Sequence, residues 1–132
     1  MKILIVDDDK TTRKILSLYL KEGGFNVTTA ENGLNAMEKL GSDTFQLVMT
    51  DLNMPFMDGI EFIKAIKANP GTAHIPALML TAETDGEEKD RAFKAGADGY
   101  LSKPVTAEEL AVKIRQMVKD ALEKGEKPNG KA

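Results

Sequence analysis

Residues 3–9 read Ile3-Leu4-Ile5-Val6-Asp7-Asp8-Asp9, four aliphatic side chains without polar alternation followed at once by three carboxylates. A strand with one face in water alternates apolar and polar residues, whereas an unbroken apolar run of this length is how a strand covered on both faces of a parallel sheet reads. Parallel neighbours need long crossover connections, normally helices. The opening therefore predicts an α/β chain.

The remaining sequence follows that pattern. From Thr11 to Lys21 the apolar residues Ile15, Leu16, Tyr19 and Leu20 recur at helical spacing, and Gly23-Gly24 supplies the stop. Phe25 to Thr29 is a second strand. Asn32-Gly33 could turn a hairpin, but Leu34, Met37 and Leu40 follow at steps of three, so a helix opens there instead. Phe45 to Thr50 is a third strand, and Ile60, Ile63 and Ile66 mark a helix that follows Gly59 and ends at Asn69-Pro70-Gly71. Pro76 to Leu80 is a fourth strand. Thr84 with Glu87 has the form of a capping box for a charged helix with a thin apolar face, ending at Gly96. Tyr100-Leu101 sits in a short fifth strand, and Thr106 with Glu109 is a second capping box. It opens a last helix whose residues Leu110, Ile114, Met117, Val118 and Ala121 form a core-facing stripe; the polar stretch from Gly125 is expected to fray. Five strands alternating with five helices imply right-handed βαβ units and a three-layer (βα)5 doubly wound parallel sheet.

The 132 residues fit one domain, expected over 1–124 with 125–132 as a polar tail or the start of a linker. A chain 42% apolar and 30% charged can build a core, which excludes general disorder. Eighteen basic against 21 acidic residues leave a net charge of −3, without the basic excess that phosphate-backbone binding favours, so no direct nucleic-acid ligand is expected. The lack of cysteine excludes disulfides and thiolate chemistry, and a single His74 excludes histidine-rich metal sites. No apolar stretch approaches the roughly 20 residues of a membrane span, and Asp7 cuts short any secretory leader. A cytoplasmic protein without a membrane partner is the expectation.

In an open parallel sheet, ligands bind outside the carboxyl ends of the strands, near the switch in strand order. Asp7, Asp8 and Asp9 follow the first strand, Asp51 the third, Thr81 the fourth, and Lys103 with Pro104 the fifth. Two carboxylates about 5 Å apart repel by roughly 3 kcal/mol at an effective dielectric near 20. Such a cluster takes up protons, pairs with Lys103, or binds a hard divalent cation, for which Mg2+ is favoured. A calcium loop begins correctly at Asp51-Leu52-Asn53 but fails at Pro55 and Phe56. A carboxylate beside a metal can attack phosphorus to give an acyl phosphate, with Asp51 the candidate and Thr81 and Lys103 stabilising the phosphoryl oxygens. Asp9 is read as a helix cap rather than a ligand, and Asp58-Gly59 as a turn or cap.

Taken together, Asp7-Asp8, Asp51-Leu52-Asn53-Met54-Pro55 with Asp58-Gly59, Thr81-Ala82, and Tyr100-Leu101-Ser102-Lys103-Pro104 resemble the receiver domain of bacterial two-component response regulators, especially the single-domain chemotaxis type. The resemblance runs from Lys2 to about Lys124. It implies a flavodoxin-like strand order 2-1-3-4-5 and a phosphorylation-activated switch that is not an enzyme in the ordinary sense, although it assists its own phosphorylation and dephosphorylation. Asp51 would accept the phosphoryl group from a sensor histidine kinase or phosphotransfer protein. Mg2+ would be held by Asp8, Asp51 and the backbone carbonyl of Asn53, with Asp7 acting through water. Thr81, the backbone of Ala82, and Lys103 would contact the phosphoryl group, and the Lys103–Pro104 bond would be cis. Thr81 and Tyr100 would form the switch pair, while Asn53 and Glu83 would tune dephosphorylation. A downstream protein would bind the face made by the fourth helix, fifth strand and fifth helix. Such regulators act as monomers or phosphorylation-dependent dimers, and the short stretch after the last helix suggests a stand-alone regulator.

Two other classes use related parts. Haloacid dehalogenase-like phosphatases carry the aspartyl nucleophile on the first strand with a second Asp two residues on. Here the acidic pair comes first, and Asn53, two after Asp51, cannot protonate a leaving group. A flavodoxin-like FMN binder would need Ser, Thr and Gly after the first strand, where three Asp side chains would repel phosphate.

Overall fold

A computed structural model describes residues 1–82 and 85–130, of which 125–130 are described as helical backbone only. Its elements alternate as β1 (Lys2–Val6), α1 (Lys10–Glu22), β2 (Asn26–Ala30), α2 (Gly33–Ser42), β3 (Leu47–Thr50), α3 (Gly59–Ala68), β4 (Ala77–Thr81), α4 (Gly86–Ala95), β5 (Gly99–Ser102) and α5 (Ala107–Gly130). The strands form one sheet in the order β2-β1-β3-β4-β5, and every pairing is parallel. The order reverses between β1 and β3, which sets a crevice at their carboxyl ends.

β1 shows why its sequence lacks alternation. Ile3 and Ile5 pack on one side against Leu16 and Leu20 of α1 and Leu110, Ile114 and Met117 of α5. Leu4 and Val6 point the other way, into a cluster with Ala36 and Leu40 of α2 and Phe62 and Ile66 of α3. Farther along that second face, Ile60 and Ile63 of α3 meet Met79 of β4 and Ala92 and Ala95 of α4. All four residues Ile3 to Val6 are at most 1% exposed, so neither face could carry a polar residue.

Most predicted boundaries hold to within a residue or two, the usual fraying of element ends. Asn32 caps α2 by accepting from the Asn35 backbone N–H at 2.7 Å, which is why Asn-Gly opens a helix rather than a hairpin. Thr106 and Glu109 form the predicted reciprocal cap of α5. Two expectations are corrected. The cap of α4 is Asp85, whose Oδ1 accepts from the Glu87 backbone N–H at 2.9 Å; Thr84, the predicted cap, lies outside the described residues. Asp85 satisfies the amide at the second helical position, one residue nearer than the capping-box spacing from Thr84 assumes. α5 continues through Gly125 to Gly130, since a single glycine costs a helix only about 1 kcal/mol and need not end it.

Candidate functional site

β1 delivers Asp7 to the carboxyl edge, where its N–H extends the ladder to Ala30 of β2 at 3.1 Å. Its side chain is almost wholly buried, an expensive place for a charge unless that charge is paired. One oxygen accepts from the Asp9 backbone N–H at 2.9 Å, and the other lies 3.0 Å from the Lys103 ammonium. β3 delivers Asp51 next door, held through its backbone N–H to Val6 at 3.0 Å. Its Oδ1 accepts from the Leu52 N–H at 2.8 Å, and its Oδ2 lies 3.7 Å from the same ammonium. Asp7, Asp8 and Asp51 each offer an oxygen within 4.8 Å of the others.

The flanking strands complete the rim. Thr81 ends β4 almost fully buried and hydrogen-bonds to the Asp51 carboxylate. Its carbonyl accepts the Lys103 N–H at 2.8 Å, which ties the residue that carries the ammonium to the end of β4. The Lys103–Pro104 peptide is cis. Burial holds the Asp51 carboxyl above the ordinary carboxylate range; the Lys103 ammonium opposes this, the Asp7 charge adds to it, and the Leu52 and Thr81 hydrogen bonds oppose it. Asn53 is exposed in the β3–α3 loop, two residues after Asp51, and Ala82 directly follows Thr81 on the surface. Glu83 lies outside the described residues. Tyr100, half-buried on β5, packs against the cluster shared by α3, β4 and α4, and the Lys89 ammonium of α4 stands 6.0 Å from its ring centre.

The structural readings of Asp9 and Asp58 hold. Asp9 caps α1 by accepting from both the backbone N–H and the hydroxyl of Thr12, and these bonds hold its carboxyl below the usual range. Asp58 and Glu61 form a reciprocal capping box at the start of α3. A cavity of about 510 Å3 lined in part by His74, Asp98, Met117 and Asp120 lies at the opposite, amino-terminal end of the sheet and gathers none of the rim residues.

Sequence reasoning missed two supports. The Arg13 guanidinium donates to the Asp7 carbonyl at 2.7 Å, fixing the acidic turn from within α1. Gly59 is more demanding: a Cβ there would stand 2.2 Å from the Asp51 carbonyl oxygen. Asp58-Gly59 is therefore not only a cap, since the glycine lets the start of α3 close against the backbone of Asp51. Nothing in the local sequence announces that approach, because it arises only when the β3–α3 loop folds back and Gly59 donates to the Leu52 carbonyl at 2.7 Å.

The oxygens gathered here are those of three carboxylates, all hard donors, and against the one Lys103 ammonium they leave a net charge of −2 at full ionisation. Both the ligand type and the residual charge fit a divalent cation such as Mg2+. Residues 3–115 match the model of the response regulator receiver domain. The chain belongs to that family. This receiver is 46% identical over 115 residues to the chemotaxis protein CheY-3 of Vibrio cholerae, covering 86% of this chain and 88% of that one. It is 42% identical over 118 residues to the chemotaxis protein CheY of Pseudomonas aeruginosa, covering 89% and 95%. Among solved structures, Vibrio cholerae CheY4 superposes with a TM-score of 0.84 at 37% identity, over 88% of this chain and 97% of that chain. A CheY-like receiver domain protein from Methanospirillum hungatei gives 0.86 at 27%, over 93% and 97%. Receivers are phosphorylation-activated signalling switches that work between a histidine kinase and a downstream target, so membership decides against the haloacid dehalogenase reading. Among the described residues, no helix is long and apolar enough to cross a membrane.

Proposed function

We propose that this receiver, spanning 1–124, takes a phosphoryl group on the Asp51 carboxylate from a phosphohistidine on a sensor histidine kinase or phosphotransfer protein. A bond forms between an Asp51 oxygen and phosphorus, the N–P bond of the phosphohistidine breaks, and the imidazole leaves with the electron pair. The observation that carries this reading is the meeting of Asp7, Asp8 and Asp51 within 4.8 Å, with the Lys103 ammonium 3.7 Å from the acceptor. Asp8, Asp51 and the Asn53 carbonyl would hold Mg2+ directly, and Asp7 through water; bound there, the ion would offset the charge that an incoming phosphoryl group meets. Lys103, the Thr81 hydroxyl and the Ala82 N–H would bind the phosphoryl oxygens, and Asn53 and Glu83 would tune attack by water, so the protein assists its own dephosphorylation.

Phosphorylation adds about −1.5 to −2 charge at one point, enough to bias two arrangements differing by a few kcal/mol. Thr81 then moves toward the phosphate, and the Tyr100 ring turns into the space it leaves. α4 buries only Ala92 and Ala95, so it yields to that change, and the α4–β5–α5 face presents it to a downstream protein in the cytoplasm, as a monomer or a phosphorylation-dependent dimer.

Mg2+ with a small acyl phosphate should add one alkali-labile phosphoryl group, detected by intact mass. Asp51→Asn should abolish it. Undiminished labelling of that variant would overturn the assignment.

A further inference from the structure

The β3–α3 loop carries an aromatic side chain that the phosphoryl chemistry does not use. Phe56 is 83% exposed, and its backbone sits at φ +71°, in the left-handed region. Glycine or asparagine adopts that conformation readily; a bulky residue there is an outlier. A lone exposed apolar residue is ordinary on a protein surface. One retained in a conformation that glycine would relieve, and left mostly in solvent, is not accounted for by packing within its own chain.

Its location supplies a reason. The Gly59–Leu52 hydrogen bond closes the loop against Asp51, and Phe56 lies three residues from that closure, within about 11 Å along the chain. A partner covering about 800 Å2 has a footprint of roughly 16 Å radius. A protein centred on Asp51 with that footprint reaches Phe56. On the flank of the loop, Met57 fills the space over Gly33, its Sδ 2.7 Å from where a Cβ would stand, and the adjoining Leu34 is 54% exposed. The rim beside them is acidic, with Asp8 and Asp9 both exposed, so a second copy of this chain docking there would set like charges together. A phosphorylated donor meets the same acidic rim, and apolar burial beside it adds an attraction that does not depend on charge.

We propose that Phe56 is the anchor by which this receiver seats a phosphohistidine-bearing protein donor, its ring entering an apolar cleft beside the donor histidine. This rests on Asp51 being the acceptor. The test compares the natural protein with Phe56→Gly, which relieves the backbone and removes the ring, and Phe56→Tyr, which keeps the ring. The protein donor is the member of a panel of phosphorylated histidine-kinase domains that labels the natural protein fastest. With a small acyl phosphate and Mg2+, all three proteins should label at the same rate. With the protein donor, Phe56→Gly should label at least about tenfold more slowly at limiting donor, and Phe56→Tyr should stay within about twofold. Equal rates for Phe56→Gly and the natural protein with the protein donor would overturn the anchor. Slower small-donor labelling of Phe56→Gly would overturn it as well, because the loop would then serve the chemistry itself. Failure of the natural protein to label with the small donor would instead count against Asp51 as acceptor.

Discussion

α3 and α4 are each ten residues long, each is capped by an aspartate, and both pack on the same side of the sheet. α3 buries Gly59, Ile60, Phe62, Ile63 and Ile66, whereas α4 buries only Ala92 and Ala95. With each large apolar side chain contributing about 1.5 to 3 kcal/mol on full burial, the two helices differ in anchorage by several kcal/mol. The difference maps onto the work each would do. α3 closes against Asp51 and keeps the acidic rim in register, while α4 lies beside Tyr100 held by two alanines and a charged surface.

The largest expected effect comes from truncating the two helices in turn. Phe62→Ala on α3, where the ring is fully buried, should cost about 3 to 5 kcal/mol of unfolding free energy. Phe93→Ala on α4, where the ring is 43% exposed, should cost about 1 kcal/mol. Urea titrations of both variants measure this directly, and equal losses would dissolve the contrast.

A second pair probes the helix starts. Gly59→Ala drives a methyl group into the Asp51 carbonyl, an obstacle of backbone rather than of a flexible side chain, and should cost about 1 to 3 kcal/mol while slowing labelling of Asp51. Gly86→Ala meets nothing within 4 Å at the first position of α4 and should be neutral or stabilising by up to about 1 kcal/mol. Thermal melts and labelling rates separate the two, and a harmless Gly59→Ala would show that α3 does not brace the acceptor.

Much of this architecture was legible beforehand because it rests on short-range rules. The unbroken Ile3 to Val6 run announced a strand covered on both sides, and the carboxyl-edge rule gathered Asp7, Asp51, Thr81 and Lys103 from four separate segments. What escaped depends on how loops close. The Gly59 contact exists only after the β3–α3 loop folds back, the Arg13 bond only after α1 turns over the acidic stretch, and the left-handed Phe56 has no local signature because its sequence neighbours do not demand it. The Asp85 cap was missed for a different reason: Thr84 and Asp85 are adjacent cap-forming residues, and the spacing to Glu87 favoured the wrong one.

The smallest effect sharpens the contrast from the side of the charge that α3 helps to hold. Burial raises the Asp51 carboxyl above the ordinary value of 3.8, against the opposing pull of Lys103. A raised folded-state pKa means that the native protein binds this proton more readily than the unfolded chain does. The unfavourable contribution of the ionised group is therefore absent below about pH 3.8 and fully present above its folded pKa. Asp51→Asn removes the charge and leaves Lys103 its Asp7 partner at 3.0 Å, so the variant should be more stable at pH 7 by on the order of 1 kcal/mol, or about 4 °C. The gain should shrink as the pH falls through the raised folded pKa and be lost below about 3.8, and saturating Mg2+ should narrow it by stabilising the natural protein more than the variant. Melting curves across pH, with and without Mg2+, measure both trends. A variant less stable than the natural protein at pH 7 would mean that pairing with Lys103 outweighs burial, and that α3 closes against a carboxylate already content with its charge.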